Sequence, residues 1–346
     1  MSFKVVNVTL FPMFPFTEGE EIIRQAGGEY VGTACQTEEE ILASAVNADA
    51  IIGVFTDGIL TLSKETINKL GKCKMVAIPG MGYEGVDLRA ATENGIIVIN
   101  NPDYGAEEVA NHTILLLLAA ARKLIPTIEA VKEGKWDRAG FHTIRAKVLP
   151  PVFRLSKQTL GLIGFGHIPR SLVPRAKPFF SRIIVYDPYV APKVIEEFGV
   201  VSTDLNTVLK DSDCISLHAA LTEENRHMIT LKHFKMMKPT AFLVNTARGG
   251  LVDAQALYTA LSEGIIAGAA VDVWDPEPPQ PDDPLLKLSN IIITPHISQY
   301  SIEADSKIRT NPSKDIVSVM EGGWPREIAF RNPQVKEKFL ARWEKA

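Results

Sequence analysis

The chain has 346 residues, 46% of them apolar and 23% charged, which at roughly 150 residues per domain implies two domains with cores of their own and excludes a disordered or fibrous chain. Lys and Arg number 37 against 41 Asp and Glu, a net charge of −4 with no basic block, so no footprint for nucleic acid or an anionic membrane is present and small molecules are the expected partners. The longest apolar run, Ile114 to Ala121, has eight residues against ~20 for a membrane span; an Asn and two prolines interrupt the apolar stretch that an N-terminal export signal would need, so the expected location is the cytoplasm.

From Lys4 to Asn100 short apolar runs alternate with amphipathic ones. Val5–Leu10, Ala50–Phe55, Met75–Ile78 and Ile96–Ile99 read as buried strands. Thr37-Glu-Glu-Glu40 is a capping box opening a helix over Glu38–Val46, Ser63 caps a second helix, and Asp87 caps a third that ends at Asn94-Gly95. This βα repeat implies a parallel sheet covered by helices. Asn100-Asn101-Pro102 marks a boundary, followed by a long apolar helix from about Glu107 to Lys123 and an irregular stretch over 134–158. The alternation then resumes, with strands expected at Thr159–Ile163, Arg182–Tyr186, Cys214–His218, Ala241–Asn245, Ala267–Val271 and Ile291–Thr294. Pro295 marks a second boundary, and a helix over Ser301–Met320 is expected to return to the first domain. Two crossings imply a hinge and a cleft. Cys35, Cys73 and Cys214 are too scattered for a disulfide framework or a metal cage and read as reduced core residues; no metal is expected. In the tail, Val335, Phe339 and Trp343 recur at a spacing of four, one face of a short helix.

The sharpest local signal is Leu160-Gly-Leu-Ile-Gly164-Phe-Gly166-His-Ile168, a strand running into a glycine turn and a helix start. Gly164 permits the turn, Gly166 admits a pyrophosphate, and the N–H groups of His167 and Ile168 would donate to it. Asp187 stands 21 residues after Gly166, where an acceptor for a ribose hydroxyl is expected; it would repel a 2′-phosphate, favouring NAD over NADP. Pro169 replaces the third glycine of the fingerprint, and Pro174 and Pro178 are expected to kink the helix that follows. Three strand ends of the second domain carry Asn245-Thr-Ala-Arg248, Asp272-Val-Trp-Asp-Pro-Glu277 and Thr294-Pro-His296. An arginine can hold a carboxylate bidentately, a histidine can pass a proton near neutral pH, and a neighbouring carboxylate fixes the histidine's tautomer.

Together GFGHI, VYDPY, NTARGGLVD, AAVDVWDPEPP and TPH closely resemble the D-isomer-specific 2-hydroxyacid dehydrogenases, over about residues 5 to 330. The resemblance implies an α/β fold of two Rossmann-like or flavodoxin-like parallel-sheet domains, with an NAD-binding domain at 101–296 inserted into a substrate domain made of 1–100 and 297–330, then a tail at 331–346. It implies Arg248, Glu277 and His296 as the catalytic set, Arg248 also touching cofactor and substrate. Asp272 would meet the nicotinamide amide, the backbone of Thr246 and Ala247 would line the cofactor, and Ala219 takes a cofactor-lining position that is commonly Thr or Cys. Gly80-Met81-Gly82 match the loop that holds the substrate carboxylate. Asn111 stands where the family usually has Glu, on the helix opening the NAD domain, and no catalytic role is expected of it.

Tyr186-Asp-Pro-Tyr189 and Tyr300-Ser301 look most like the C-terminal-binding-protein branch, with Gln299 replacing a Trp of its corepressors. The expectation is reversible reduction of a small 2-keto acid by NADH, with His296 as acid and base, in a cytoplasmic homodimer formed across the apolar helix. Phosphoglycerate dehydrogenase and glyoxylate or hydroxypyruvate reductase activities are the alternatives within the class, and phosphoglycerate, glycerate, glyoxylate and branched keto acids all stay open as substrates. A corepressor-like, NADH-responsive binding protein with residual activity is the alternative, against which stand the complete catalytic trio and the short stretch after His296. Formate dehydrogenases pair the histidine with Gln, whereas Glu277 stands here.

Overall fold

The computed structural model describes residues 2–8, 16–55, 60–136, 144–149 and 151–343. It forms two compact units, Met1–Gly105 with Ser301–Ala346, and Ala106–Tyr300.

In the first unit β1 (Lys4–Asn7), β2 (Glu29–Gly32), β3 (Ala50–Ile52), β4 (Met75–Ala77) and β5 (Ile97–Ile99) form a parallel sheet of order 2-1-3-4-5, the flavodoxin-like arrangement. Residues 9 and 10 of the expected first strand lie outside the described residues. Alternate side chains feed two cores. Val6, Ile51, Val76 and Val98 enter one, and Val5, Ala50, Ile52, Met75 and Ile97 the other, as the two-residue period of a doubly covered strand requires. Strand β2 escaped the apolar-run reading because only Tyr30 of its four residues is buried at that sheet edge.

Helices α1 (Thr17–Gln25), α2 (Glu38–Ala45), α3 (Lys64–Lys69) and α4 (Leu88–Glu93) cover this sheet. Their caps fall where the sequence puts them. The Thr37 hydroxyl accepts from Glu40 N (3.3 Å), Ser63 from Thr66 N (3.4 Å) and Asp87 from Ala90 N (2.8 Å). The Glu40 carboxylate takes the N–H of Gln36 (2.6 Å) rather than that of Thr37.

The helix Ile302–Met320 packs on α1. Arg326 joins Asp315, which is 1% exposed, to Asp103 at 3.1 and 3.2 Å. The stretch after residue 330, whose apolar face is expected to pack on its own domain or on a second copy, lies in this unit. Val335 is fully buried, Phe339 lies 5.4 Å from the Trp324 ring, and Trp343 Nε1 donates to Gly95 O at 3.3 Å. Its apolar face finds partners in its own unit.

The second unit opens with α5 (Ala106–Ala121) and α6 (Leu124–Lys132), separated at Lys123, whose φ is +50°. Seven parallel strands follow: β6 (Thr159–Ile163), β7 (Arg182–Tyr186), β8 (Val201–Ser202), β9 (Cys214–Leu217), β10 (Phe242–Asn245), β11 (Gly268–Val271) and β12 (Ile291–Ile293). Their order, 12-11-10-9-6-7-8, is the doubly wound dinucleotide arrangement extended by one strand. The order reverses between β6 and β9, the place where such sheets bind ligands. Ile163, Ile215, Leu217, Leu243 and Val271 feed one core; Leu160, Leu162, Val185, Val244 and Ala270 feed the other. Only the two-residue edge strand β8 lacked a sequence signal.

His218 follows β9 at the reversal. Its N–H donates to Ile163 O (2.7 Å), its Nε2 meets Ser216 Oγ (2.9 Å), and its buried Nδ1 has no partner. Burial pushes this imidazole down to about 3 from an ordinary 6.5. Below pH 6.5 the unfolded chain therefore takes up a proton that the folded chain refuses, and stability falls by about 1.4 kcal/mol per pH unit towards the folded value. Urea midpoints measured between pH 7 and 4.5 should decline more steeply for the wild type than for His218→Asn. Cys35, Cys73 and Cys214 are buried and free, and burial pushes the thiols of Cys73 and Cys214 up to about 12. An aromatic disulfide reagent should accordingly label none of the three within minutes in the native protein and all three after unfolding.

Candidate active site

Because every strand of the second unit is parallel, the loops after β6, β7, β9, β10, β11 and β12 leave the sheet on one edge. At the end of β6, Gly164 has φ +100°, and a Cβ there would lie 2.7 Å from the carbonyl carbon and oxygen of His218 and 2.9 Å from Ala219 N. Only glycine meets both demands. The next N–H, of Phe165, donates to Asp187 Oδ2 at 2.7 Å, while Asp187 Oδ1 accepts from Tyr189 N (2.8 Å) and Val190 N (3.0 Å). Asp187, expected to face a ribose, thus first fastens the glycine loop to β7. An ionised carboxylate has about four acceptor sites, so one stays open for a hydroxyl.

Gly166 precedes α7 (His167–Ala176), no side chain caps this helix, and nothing lies within 4 Å of a Cβ built on Gly166. The first-turn N–H groups of His167 and Ile168 thus face open space, and Pro169 contributes none. This cradle fits a dinucleotide pyrophosphate. Arg170 Nε donates back to Phe165 O at 3.2 Å, with its guanidinium 5.7 Å from the Phe165 ring. Pro174 lies inside α7, as expected, but the helix ends at Ala176, so Pro178 falls outside it and kinks nothing.

After β10, the side chain of Asn245 clasps its own loop: Oδ1 accepts from Ala247 N (3.0 Å) and Nδ2 donates to Arg248 O (2.8 Å). Arg248 Nη1 donates to Ala247 O at 2.7 Å. The following Gly249 runs against the loop after β11 so closely that a Cβ would sit 2.0 Å from the Trp274 carbonyl. The loops bearing Arg248 and Glu277 are therefore in direct backbone contact.

After β12, His296 adopts φ +54°, a left-handed conformation costly for a residue with a Cβ. Asp272 holds it there. The Asp272 carbonyl accepts from His296 N (2.8 Å), and its carboxylate accepts from Thr294 Oγ1 (2.5 Å), Ile297 N (3.1 Å) and Ser298 N (2.9 Å). With this side chain 0% exposed, both carboxylate oxygens of Asp272 are bonded to the histidine loop. Gln299 Nε2 donates to His296 O at 3.1 Å.

The His296 ring lies with Nδ1 2.7 Å from Glu277 Oε1. An ionised carboxylate only accepts, so Nδ1 carries the proton and Nε2 lies outside this bond. Both side chains are partly open to solvent, at 42% and 35%.

Thr246, buried at 5% exposure, bonds Thr113 Oγ1 at 2.9 Å, and Asn111 Oδ1 accepts from Arg175 Nε at 2.8 Å, tying α5 to α7. Gly80, Met81 and Gly82 lie in the first unit, where Asn101 N takes the Gly80 carbonyl (2.9 Å) and Asn100 Nδ2 that of Met81 (2.6 Å). Among the described residues no cluster of three or more His, Cys, Asp or Glu is arranged to hold a metal, and no helix is long and apolar enough to cross a membrane. Asn245, Gly249 and Thr294 stood inside quoted motifs without an assigned role, and His112 and Thr113 carried no signal, since each acts through a contact distant in the chain or through its own turn.

Residues 114–298 match the family model described as D-isomer specific 2-hydroxyacid dehydrogenase, NAD binding domain. The chain is 41% identical over 323 residues to a D-3-phosphoglycerate dehydrogenase of Methanocaldococcus jannaschii, covering 93% of this chain and 59% of the relative. It thus spans about three-fifths of that relative's length. It is 37% identical over 292 residues to a glyoxylate reductase of Korarchaeum cryptofilum, covering 84% of this chain and 86% of the relative. Among solved structures, D-lactate dehydrogenase from Aquifex aeolicus complexed with NAD and lactic acid superposes with a TM-score of 0.80 at 28% identity, covering 95% and 99% of the two chains. With its doubly wound second unit, its glycine cradle and these likenesses, the chain belongs to the D-isomer specific 2-hydroxyacid dehydrogenase family.

Proposed function

We propose that the protein is an NAD-dependent D-2-hydroxyacid dehydrogenase that interconverts a small 2-keto acid and its 2-hydroxy acid. The observation that carries this reading is the His296–Glu277 pair, bonded through Nδ1 at 2.7 Å and leaving Nε2 as the working nitrogen. Protonated, Nε2 donates to the carbonyl oxygen during reduction; neutral, it accepts the hydroxyl proton during oxidation. Arg248 holds the substrate carboxylate and stabilises charge developing on the oxygen. Bound NADH supplies the hydride to C2. The cofactor is held by the N–H groups of His167 and Ile168, by Asp187 at the ribose, and by the backbone at Ala219, Thr246 and Ala247. Reduction takes a proton from His296 and oxidation returns one to it.

Glyoxylate and hydroxypyruvate head the candidate substrates, because the glyoxylate reductase relative is matched along 86% of its length against 59% for the phosphoglycerate dehydrogenase. The features shared with the C-terminal-binding-protein branch, Tyr186–Tyr189 and Tyr300-Ser301, lie outside the acid–base pair and add no chemistry to it. A homodimer is supported by exposed Leu115 of the expected apolar helix α5 and, more extensively, by Leu124, Ile125, Ile128 and Val131 of the adjoining α6.

NADH oxidation assayed across a panel of 2-keto acids tests the reading; a chain that turns over none of them is not this enzyme. With the best substrate, His296→Ala should lower kcat by about 10²–10⁴-fold, and Glu277→Gln by about tenfold or more. Asp187→Ala removes an acceptor from the glycine loop as well as from the ribose, and should raise the Kd for NADH by at least about tenfold in a fluorescence titration.

A further inference from the structure

Two adjacent residues of α5, His112 and Thr113, reach the two loops that carry Arg248 and His296. Helix α5 packs against β10 and β11, the strands that launch the Arg248 and Asp272 loops. His112 Nε2 lies 3.1 Å from Thr294 Oγ1 and 3.8 Å from Asp272 Oδ1, and its side chain is 14% exposed. Thr294 has a single hydroxyl proton, and the 2.5 Å contact places it on Asp272 Oδ1; His112 Nε2 must then be the donor to Thr294. The next residue, Thr113, is fully buried and gives its proton to Val109 O at 2.7 Å. Its oxygen is therefore the acceptor for the Thr246 hydroxyl at 2.9 Å, two residues before Arg248.

We propose that His112 and Thr113 are a pair of positioning residues that hold the histidine loop and the arginine loop in one arrangement. His112 does so through the chain His112, Thr294, Asp272 to the N–H groups of Ile297 and Ser298. Thr113 does so through Thr246. Neither touches a reacting atom. The pair occupies adjacent positions of one helix, so the two bonds spring from a single backbone segment. This assignment of a positioning role rests on the dehydrogenase reading for its catalytic meaning, but the local geometry can be measured without any substrate.

The test compares His112→Ala, His112→Gln and Thr113→Val in the full chain by hydrogen–deuterium exchange and by NADH oxidation with glyoxylate. The carboxamide of Gln can still donate to Thr294. In His112→Ala, amides of residues 294–300 should exchange about tenfold faster while β6 and β7 keep wild-type protection. Its kcat should fall about tenfold with KM for NADH within twofold, and His112→Gln should recover most of both effects. Thr113→Val should loosen residues 246–250 and leave 294–300 protected. Wild-type exchange at 294–300 in His112→Ala, or a His112→Gln no better than the alanine variant, overturns the proposal. A wild type that reduces no keto acid yet shows the exchange pattern defeats the dehydrogenase reading while the positioning role stands.

Discussion

The loop that carries His296 depends on the carboxylate of Asp272. His296 sits at a positive φ that a residue with a Cβ adopts only under constraint, at a cost of order 1–3 kcal/mol. Asp272 supplies that constraint from both its main chain and its side chain. The carbonyl takes the histidine's own N–H, and the two carboxylate oxygens take Thr294 Oγ1 and the next two N–H groups. Charge-assisted bonds of this kind contribute about 1.5–3 kcal/mol each, enough together to hold the strained residue. A buried carboxylate with fewer donors would itself be unfavourable, so the carboxylate and the loop require one another.

The rest of the unit arranges what this constraint exploits. Parallel strands bring six loop-bearing ends to one edge, and the reversal of strand order between β6 and β9 opens the place for a dinucleotide. Close backbone approaches then fix the loops against each other. Gly164 lies on the His218 carbonyl and Gly249 on the Trp274 carbonyl, and in each place any side chain would force the loops apart. Glu277 is thereby delivered to Nδ1 of His296, a bond that fixes the orientation of the ring.

Much of this was legible in the sequence, because the signals concerned are local. Buried parallel strands are short runs of Val and Ile, caps are single residues at helix starts, and the glycine cradle is a strand, a turn and a helix in nine consecutive residues. Two edge strands were not legible, since β2 and β8 face solvent along most of their length and so lack the apolar run. The trio Arg248, Glu277 and His296 was singled out by residue type and strand-end position together with the family resemblance, and the fold pairs two of its members, His296 and Glu277, at 2.7 Å. The roles of Asp187 and Asp272 were only half visible. Each carboxylate first satisfies backbone N–H groups of a loop, one 22 residues away and the other 25 and 26, and only folded coordinates bring those partners together. The same holds for Pro178, whose effect vanished once the helix ended two residues earlier.

The most direct measurement is a crystal structure with NADH and oxamate, an unreactive mimic of a 2-keto acid. The account predicts His296 Nε2 within about 2.6–3.2 Å of the oxamate carbonyl oxygen, Nδ1 still on Glu277, His296 still left-handed over Asp272, and Arg248 on the carboxylate. An oxamate held elsewhere, or a His296 loop released from Asp272 with the ring turned away, would contradict it.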